Sequence, residues 1–324
     1  MIVALVLFSY ALFLAVVVPP LLRGASWADR APRLAIATWQ ALSVAVLASA
    51  TMAGLALTVP TVQVSSDLAA LLRACVMALR QQYASPGGAA VGATGAVLAL
   101  GIVARVIWSL GGAVRRIDRE RARHRRVLDM VGRHDRHRGI VILDCEDPAV
   151  YCLPGRRRRT VVTTAALLAL GEDQLDAVLA HERAHLTERH DLILTLSRAF
   201  ETAFAGLKVF RYAASETARL VELRADDVAS DRTDRLTVAA ALLAVTSKTS
   251  PSMPSMALAA GGNGAGARVR RLIPPANPLG RFQVAATSLA LAVLIVLPAL
   301  VLGGPAAAAM QQNLCPHGVT SASM

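Results

Sequence analysis

The sequence predicts a mainly α-helical membrane protein in which an α+β domain is inserted between the third and the fourth of four transmembrane helices. Of the 324 residues, 55% are hydrophobic and 17% are charged. The mean hydropathy of +0.49 also departs from the average of soluble proteins. Four apolar runs reach the length of about 20 residues that a bilayer requires. Between the last two of them, residues 112–283 are richer in charge and alternate between helical and strand-like patterns.

The predicted spans cover residues 1–22, 34–59, 89–111 and 284–303. Residues 1–111 therefore form an N-terminal membrane region, and residues 304–324 form a short tail. The first run could be a cleaved signal peptide. It lacks a positively charged start and a small-residue cleavage site, so we interpret it as a retained anchor. The other three runs contain no acidic residue, as expected for segments that cross hydrocarbon.

Arginine is concentrated in two segments that follow spans. The loop after the first span carries Arg23, Arg30 and Arg33. The segment after the third span carries Arg115, Arg116, Arg119, Arg121, Arg123, Arg125, Arg126, Arg133, Arg136 and Arg138. Because positive charge is retained on the cytoplasmic side, both segments are expected inside the cell. The inserted domain, residues 112–283, is then cytoplasmic, and the tail lies outside.

The inserted domain begins with a helix over residues 112–134 that continues the third span. Two β-branched runs, Ile140–Leu143 and Thr160–Thr164, are bounded by charged residues, proline and glycine, so they are predicted strands. Further helices are predicted over residues 172–190, 215–231 and 234–248. Residues 192–213 are apolar with few charges, which is typical of a buried core helix. Residues 251–266 have the composition of a linker. Arg268, Arg270 and Arg271 are then expected to anchor the fourth span at the inner membrane surface.

The helix predicted over residues 172–190 contains His181-Glu182-Arg183-Ala184-His185. Residues four apart share one face of a helix, so both imidazoles can bind one metal ion. Glu182 then lies beside the metal without being a ligand, which is where a general base for a metal-bound water is needed. An exposed helix with scattered histidines is the alternative, so a third ligand has to be found.

Glu222 can supply that third ligand from the helix predicted over residues 215–231. Asp226 lies one turn later on the same face and can accept a hydrogen bond from the free ring nitrogen of a metal-binding histidine. Taken alone, these two carboxylates are more typical of a solvated helix face. Together with the upstream motif they become the predicted third ligand and its neighbour. Histidine, histidine and glutamate favour one zinc ion per chain over harder cations.

The segments Ala149–Gly155, Thr160–Thr164, Leu170–His185 and Glu222–Asp226 resemble the core of membrane-bound gluzincin metallopeptidases. Two types of relative fit, the BlaR/MecR type and the prenyl-protein and heat-shock membrane protease type. The resemblance implies that His181, His185 and Glu222 bind zinc and that Glu182 is catalytic. It further implies that Asp226 supports the site. Thr160–Thr164 is expected to be an edge strand to which an extended peptide substrate could pair.

The predicted order of three spans, a cytoplasmic peptidase and a fourth span resembles the BlaR/MecR arrangement. That resemblance implies a regulatory zinc metalloendopeptidase whose partner is a cytosolic BlaI-type repressor. The tail has no Ser-x-x-Lys motif, so direct acylation by a β-lactam is not expected. Two alternatives are a membrane-protein quality-control protease and a non-catalytic membrane signalling or scaffold protein with a structural zinc site.

The formal net charge of +12 could indicate nucleic-acid binding. Much of the excess lies just after the third span, where it orients the chain and attracts anionic lipid, so no nucleic-acid partner is expected. The cluster Arg156–Arg159 is interpreted as an exposed loop or as a contact with an acidic substrate or lipid. Oligomeric state is not predicted.

The remaining polar residues are given minor roles. Cys145 and Cys152 are expected to be reduced in the cytoplasm, and Cys75 and Cys315 could form a disulfide outside the cell. His190 is nine residues after His181, which on a continuous helix lies off the metal face. It is therefore predicted to be a surface residue. Asp191 is interpreted in the same way, and Arg219 either pairs near the site or lies on the surface.

Overall fold

A computed structural model describes residues 1–58, 77, 87–155, 159–246, 263–275 and 277–312, with side chains up to residue 302 at the C-terminal end. The chain is mostly helical, as predicted. It divides into two compact units. The first comprises Met1–Leu21, Ala41–Ile107 and Ala286–Met324, and the second comprises Leu22–Gln40 and Trp108–Ala285. Cys75, Cys315, residues 156–158 and most of the predicted linker lie outside the described residues.

The first unit is built from apolar helices. Helix α1 (Ile2–Val16) is followed by α2 (Val18–Arg23), and the break precedes Pro19 and Pro20, which cannot donate backbone hydrogen bonds. The later long helices are α4 (Pro32–Thr58), α5 (Gly88–Val131) and α12 (Arg281–Gln312). Within the described part of the chain, four segments are long and apolar enough to cross a membrane: Ile2–Arg23, Pro32–Thr58, Gly88–Val131 and Arg281–Leu302. Leu5, Leu100 and Leu289 are each more than 60% exposed, which suits hydrocarbon rather than water.

Helices α4 and α5 approach each other through glycine. A Cβ atom built on Gly95 would lie 2.5 Å from the backbone oxygen of Gly54, and one built on Gly54 would lie 2.7 Å from the oxygen of Gly95. The hydroxyl of Thr58 also donates to the backbone oxygen of Gly92 at 3.4 Å. Small residues allow this approach, and the van der Waals contact between the backbones stabilises the pair of helices.

The second unit contains a four-stranded sheet in the order β1-β2-β4-β3. The strands are β1 (Arg133–Asp135), β2 (Ile140–Leu143), β3 (Val150–Leu153) and β4 (Arg159–Thr163). Strand β4 pairs in parallel with β2 and antiparallel with β3. The prediction that Thr160–Thr164 forms an edge strand is therefore wrong. Its β-branched residues are buried from Thr160 to Thr163, as in a strand with neighbours on both sides, and the edge beside it is β3.

Both faces of the sheet are covered. Alternate residues of a strand point to opposite faces, and buried apolar side chains lie on both faces here. Ile140 and Val162 point to one face and join the larger core with α6 (Thr164–Ala169) and α7 (Glu172–Thr187). Val141 and Val161 point to the other face and pack on Leu128, near the end of α5. The long helix that continues the third span thus packs on the back of the sheet. A helix was predicted for residues 112–134, and the observed one ends at Val131.

The remaining helices are α8 (His190–Ala203), α9 (Lys208–Ser230), α10 (Arg235–Thr246) and α11 (Asn263–Leu272). The single helix predicted over residues 192–213 is wrong, because the chain leaves the helix at Phe204 and starts a new one at Lys208. Gly206 weakens helix formation there. The ring of Phe210 packs on both Phe200 and Phe204, at 6.0 and 5.3 Å between centroids, and holds the turn. Part of the predicted linker is also helical, since α11 starts at residue 263.

The segment between the first two spans packs on α9. It contains α3 (Trp27–Arg30) and the start of α4. Asp29 accepts a hydrogen bond from Arg219 at 2.6 Å, and Arg23 lies over the ring of Tyr212 at 4.6 Å. The amide of Gln40 donates to the buried hydroxyls of Ser197 at 2.7 Å and Thr217 at 3.2 Å. These contacts hold the N-terminal half of the helix that carries Glu222.

Candidate metal centre

Helix α7 presents two imidazoles on one face. Its N-terminus is stabilised by Glu172 and Asp173, which complement the helix dipole. Its apolar side is buried in the core through Leu175 and Leu179. The sequence therefore fixes both the start of the helix and its rotation. The His181 and His185 side chains, four residues apart, are left half-buried on the remaining face.

Three side chains converge on one point. The Nε2 atoms of His181 and His185 lie 3.1 Å apart. Glu222, from α9, places Oε2 3.5 Å from His181 Nε2 and Oε1 3.7 Å from His185 Nε2. The three candidate ligand atoms lie within 4.8 Å of one another, so these side chains could hold one metal ion. The structure brings together the three residues for which ligand roles were predicted.

Asp226 lies behind His181. Its carboxylate is 1% exposed, and Oδ1 is 3.1 Å from His181 Nδ1. A carboxylate is an acceptor, so the proton of the neutral ring belongs on Nδ1 and the lone pair of Nε2 points to the centre. This is the contact that the spacing of Glu222 and Asp226 predicts.

His190 is buried against the centre, and its predicted surface position is wrong. The side chain is 1% exposed, with Nδ1 at 3.1 Å from His185 Nδ1 and Nε2 at 3.3 Å from Glu188 Oε2. The prediction assumed one helix through residue 190. Instead α7 ends at Thr187, and Arg189, at φ 53°, turns the chain back.

Glu188 links the pair His185–His190 to Arg224. Arg224 of α9 donates to Glu188 through Nη2 at 2.5 Å and Nε at 3.0 Å, and this ion pair lowers the pKa of Glu188. The carboxylate can therefore accept a hydrogen from His190 Nε2, which leaves His190 Nδ1 as an acceptor for His185. The Nε2 lone pair of His185 then also points to the centre.

Arg268 is a further residue of the centre that the sequence did not reveal. It was expected at the membrane surface, but it is 6% exposed and contacts both Asp226 and Glu222. Of its predicted companions, Arg271 donates to Asp227 at 2.9 Å and Arg270 is exposed. The arginine-rich run indicated a charged surface. Only its helical phase, with Ala265, Arg268 and Leu272 on the buried side, could have singled out Arg268.

Glu182 follows the first histidine and faces strand β3. Its carboxyl group interacts with Cys152 of that strand. Burial raises the pKa of the Cys152 thiol, so the thiol stays protonated. Burial likewise raises the pKa of Glu182, while the charge of His181 and the interaction with Cys152 act in the opposite direction. A carboxyl group is thus held beside the ligands on the side of the edge strand.

The charges of the pocket fit a divalent cation. Glu182, Glu222 and Asp226 can carry three negative charges when ionised, and Arg268, which interacts with all three, carries one positive charge. Burial opposes a charge on His181, but hydrogen bonds to Asp226 and Glu222 prevail and raise its pKa to about 9. Both carboxylates therefore favour positive charge at this position, as they would favour a bound cation.

The other two ligand candidates stay unprotonated. Burial lowers the pKa of His185 to about 3, and the charge of His181 adds to the effect. Burial would raise the pKa of Glu222, but its hydrogen bond to His181 prevails and lowers it to about 2. Two imidazole nitrogens bound to one zinc ion lie about 3.3 Å apart, close to the 3.1 Å between His181 and His185. Donor set, spacing and charge therefore all fit zinc.

Asp191 and Arg219 lie away from the centre. Asp191 pairs with Arg121 of α5 at 3.0 Å. Arg219 pairs with Asp29 at 2.6 Å and Glu216 at 2.9 Å, and its side chain is 44% exposed. Of the two interpretations of Arg219, the structure supports the surface one.

Comparison with known proteins agrees with the chemistry of the centre. Residues 115–256 match the family model of Peptidase family M48, which supports a metallopeptidase of that family. The matched residues include both histidines, Glu182, Glu222 and Asp226, whereas Arg268 lies beyond them. No curated protein and no solved structure matches the chain.

Proposed function

We propose that this chain is an integral-membrane zinc metalloendopeptidase that cleaves a protein on the cytoplasmic side. One observation carries the proposal. His181, His185 and Glu222 meet at one point, beside Glu182, inside the segment that matches a metallopeptidase family. The four apolar helices and the arginines after the third span support the membrane location and the orientation.

The proposed ligands are the two imidazoles and the Glu222 carboxylate. When bound, zinc would polarise the substrate carbonyl and lower the pKa of a water molecule to about 7. Glu182 would accept a proton from the attacking water at its carboxylate and deliver it to the departing amine. Asp226 and His190 would hold the two imidazoles with their Nε2 lone pairs toward the centre.

The edge strand β3 offers a place for the substrate. Cys152 of this strand interacts with Glu182, so the strand lies beside the proposed general base. Among the described residues, β3 pairs with β4 on one side and ends the sheet on the other. An extended peptide could add to β3 through main-chain hydrogen bonds, which would place a peptide bond near Glu182 independently of its side chains. This corrects the predicted docking strand from β4 to β3.

The decisive experiment compares two substitutions in the purified full chain. Glu182→Gln should retain zinc, because Glu182 is not a proposed ligand, and should lose proteolysis of an unstructured protein such as casein. His185→Ala should lose both zinc and proteolysis. Zinc is measured by elemental analysis and cleavage by gel electrophoresis. If Glu182→Gln leaves the cleavage pattern unchanged, the enzyme proposal fails; zinc without cleavage in the unmodified chain would favour the structural-zinc scaffold.

The biological role depends on the substrate. The family match supports a metallopeptidase without distinguishing a regulator from a quality-control enzyme. We propose regulatory cleavage of a BlaI-type repressor as one role and removal of damaged membrane proteins as the alternative. The Glu182→Gln variant should trap its substrate in cells. A winged-helix repressor in the trapped complex would support the first role, and a varied set of membrane proteins the second.

A further inference from the structure

Arg268 is buried in the second unit with three of its nitrogens bonded to two carboxylates. Nε and Nη2 donate to the two oxygens of Asp226 at 2.8 and 2.6 Å. Nη1 donates to Glu222 Oε2 at 2.9 Å. The guanidinium is planar, so these three bonds fix the two carboxylates relative to each other.

Each carboxylate then has a defined orientation toward the imidazoles. Asp226 Oδ1, which accepts from Arg268, is also the atom 3.1 Å from His181 Nδ1. Glu222 turns Oε2 toward Arg268 and leaves Oε1 facing His185 Nε2 at 3.7 Å. Rotating either carboxylate toward solvent would break a bond to the guanidinium. The side chain of Arg268 therefore restricts the rotation of two carboxylates. One belongs to Glu222, a proposed ligand, and the other to Asp226, which orients His181.

The charge of Arg268 does not work against a cation. A lone guanidinium so close to a metal ion would repel it. Here two of its nitrogens form a bidentate pair with Asp226, and that pair is neutral as a whole. The third nitrogen acts on Glu222 as a hydrogen-bond donor. Arg268 can thus hold Glu222 without cancelling the negative charge that attracts the ion.

We propose that Arg268 is a positioning residue of the metal centre, which sets the orientation of Glu222 and of the Asp226–His181 pair for zinc. This inference rests on the proposed function, because it takes His181, His185 and Glu222 as the ligands. It also makes α11, which follows the segment matched to the peptidase family, a part of the centre. Whether metal binding needs the arginine of this helix can be measured.

The test uses the purified full chain and three variants. Arg268→Gln removes the charge and the planar set of guanidinium donors. Arg268→Lys keeps the charge but cannot bridge both carboxylates in one plane. Arg270→Gln is the matched control, since Arg270 is an exposed arginine on the same helix. Zinc affinity is measured by competition with a chromophoric chelator. The visible spectrum of the Co²⁺-loaded protein reports the geometry of the ligands, and thermal unfolding of the apo form reports folding.

We expect Arg268→Gln to lose about 10- to 100-fold in zinc affinity and to change the Co²⁺ spectrum. Arg268→Lys should lose less and also change the spectrum, and Arg270→Gln should match the unmodified chain. Equal affinity and an equal spectrum in Arg268→Gln and Arg270→Gln would overturn the inference. If Arg268→Gln does not fold, an unmodified affinity and spectrum in Arg268→Lys would overturn it instead. An unmodified chain that takes up no zinc would refute the proposed function itself.

Discussion

The orientation of His185 depends on a single buried neighbour, His190. His190 Nδ1 lies 3.1 Å from His185 Nδ1, and its other nitrogen is held by Glu188. A liganding histidine whose far nitrogen has a fixed partner keeps one tautomer and one ring orientation. His181 has Asp226 in the same role, so each imidazole of the proposed centre has a partner of its own.

Replacing His190 with leucine should therefore weaken zinc binding by about 10- to 100-fold, because His185 loses its acceptor. His190→Gln, which keeps an acceptor, should recover part of the affinity. His137→Leu serves as the control, since His137 is exposed. Zinc affinity is again measured by chelator competition. Full affinity in a folded His190→Leu variant would show that the contact is incidental.

At the scale of elements, the contact of α4 with α5 depends on the absence of two side chains. A side chain on Gly95 would meet the backbone oxygen of Gly54, which cannot move without shifting the helix. Gly95→Val should lower the free energy of unfolding by about 1–3 kcal/mol, the usual cost of overpacking. Gly101→Val, on the same helix with no atom near the added Cβ, should have little effect. Thermal unfolding in detergent compares the two, and equal melting temperatures would contradict this packing.

At the scale of the molecule, the proposed centre joins helices that are distant in sequence. His181 and His185 come from α7, Glu222 from α9 and Arg268 from α11. An ion bound only by the folded chain stabilises it by mass action. Zinc at 100 times its dissociation constant should add about 2.7 kcal/mol to the free energy of unfolding. A chelator should reverse this gain, and His185→Ala should show neither effect. Melting of the unmodified chain that is indifferent to zinc would contradict the prediction.

The sequence alone determined the features that depend on short-range periodicity and composition. Apolar runs free of acidic residues mark the four long apolar helices, because hydrocarbon tolerates little else. The spacing of His181 and His185 places both on one face of a helix, since that geometry is local. The strand Ile140–Leu143 was likewise found with the bounds it has in the structure. Cys75 and Cys315 remain a prediction, because they lie outside the described residues.

Only the tertiary structure decided which distant groups meet. The left-handed turn at Arg189 brings His190 back onto His185, and periodicity assumes that no such turn exists. Strand β4 lies inside the sheet because β2 pairs with it in parallel, a non-local choice that its own residues do not encode. Arg268 resembles its exposed neighbours in sequence. It differs because two carboxylates from α9, more than 40 residues earlier, compensate the cost of burying its charge.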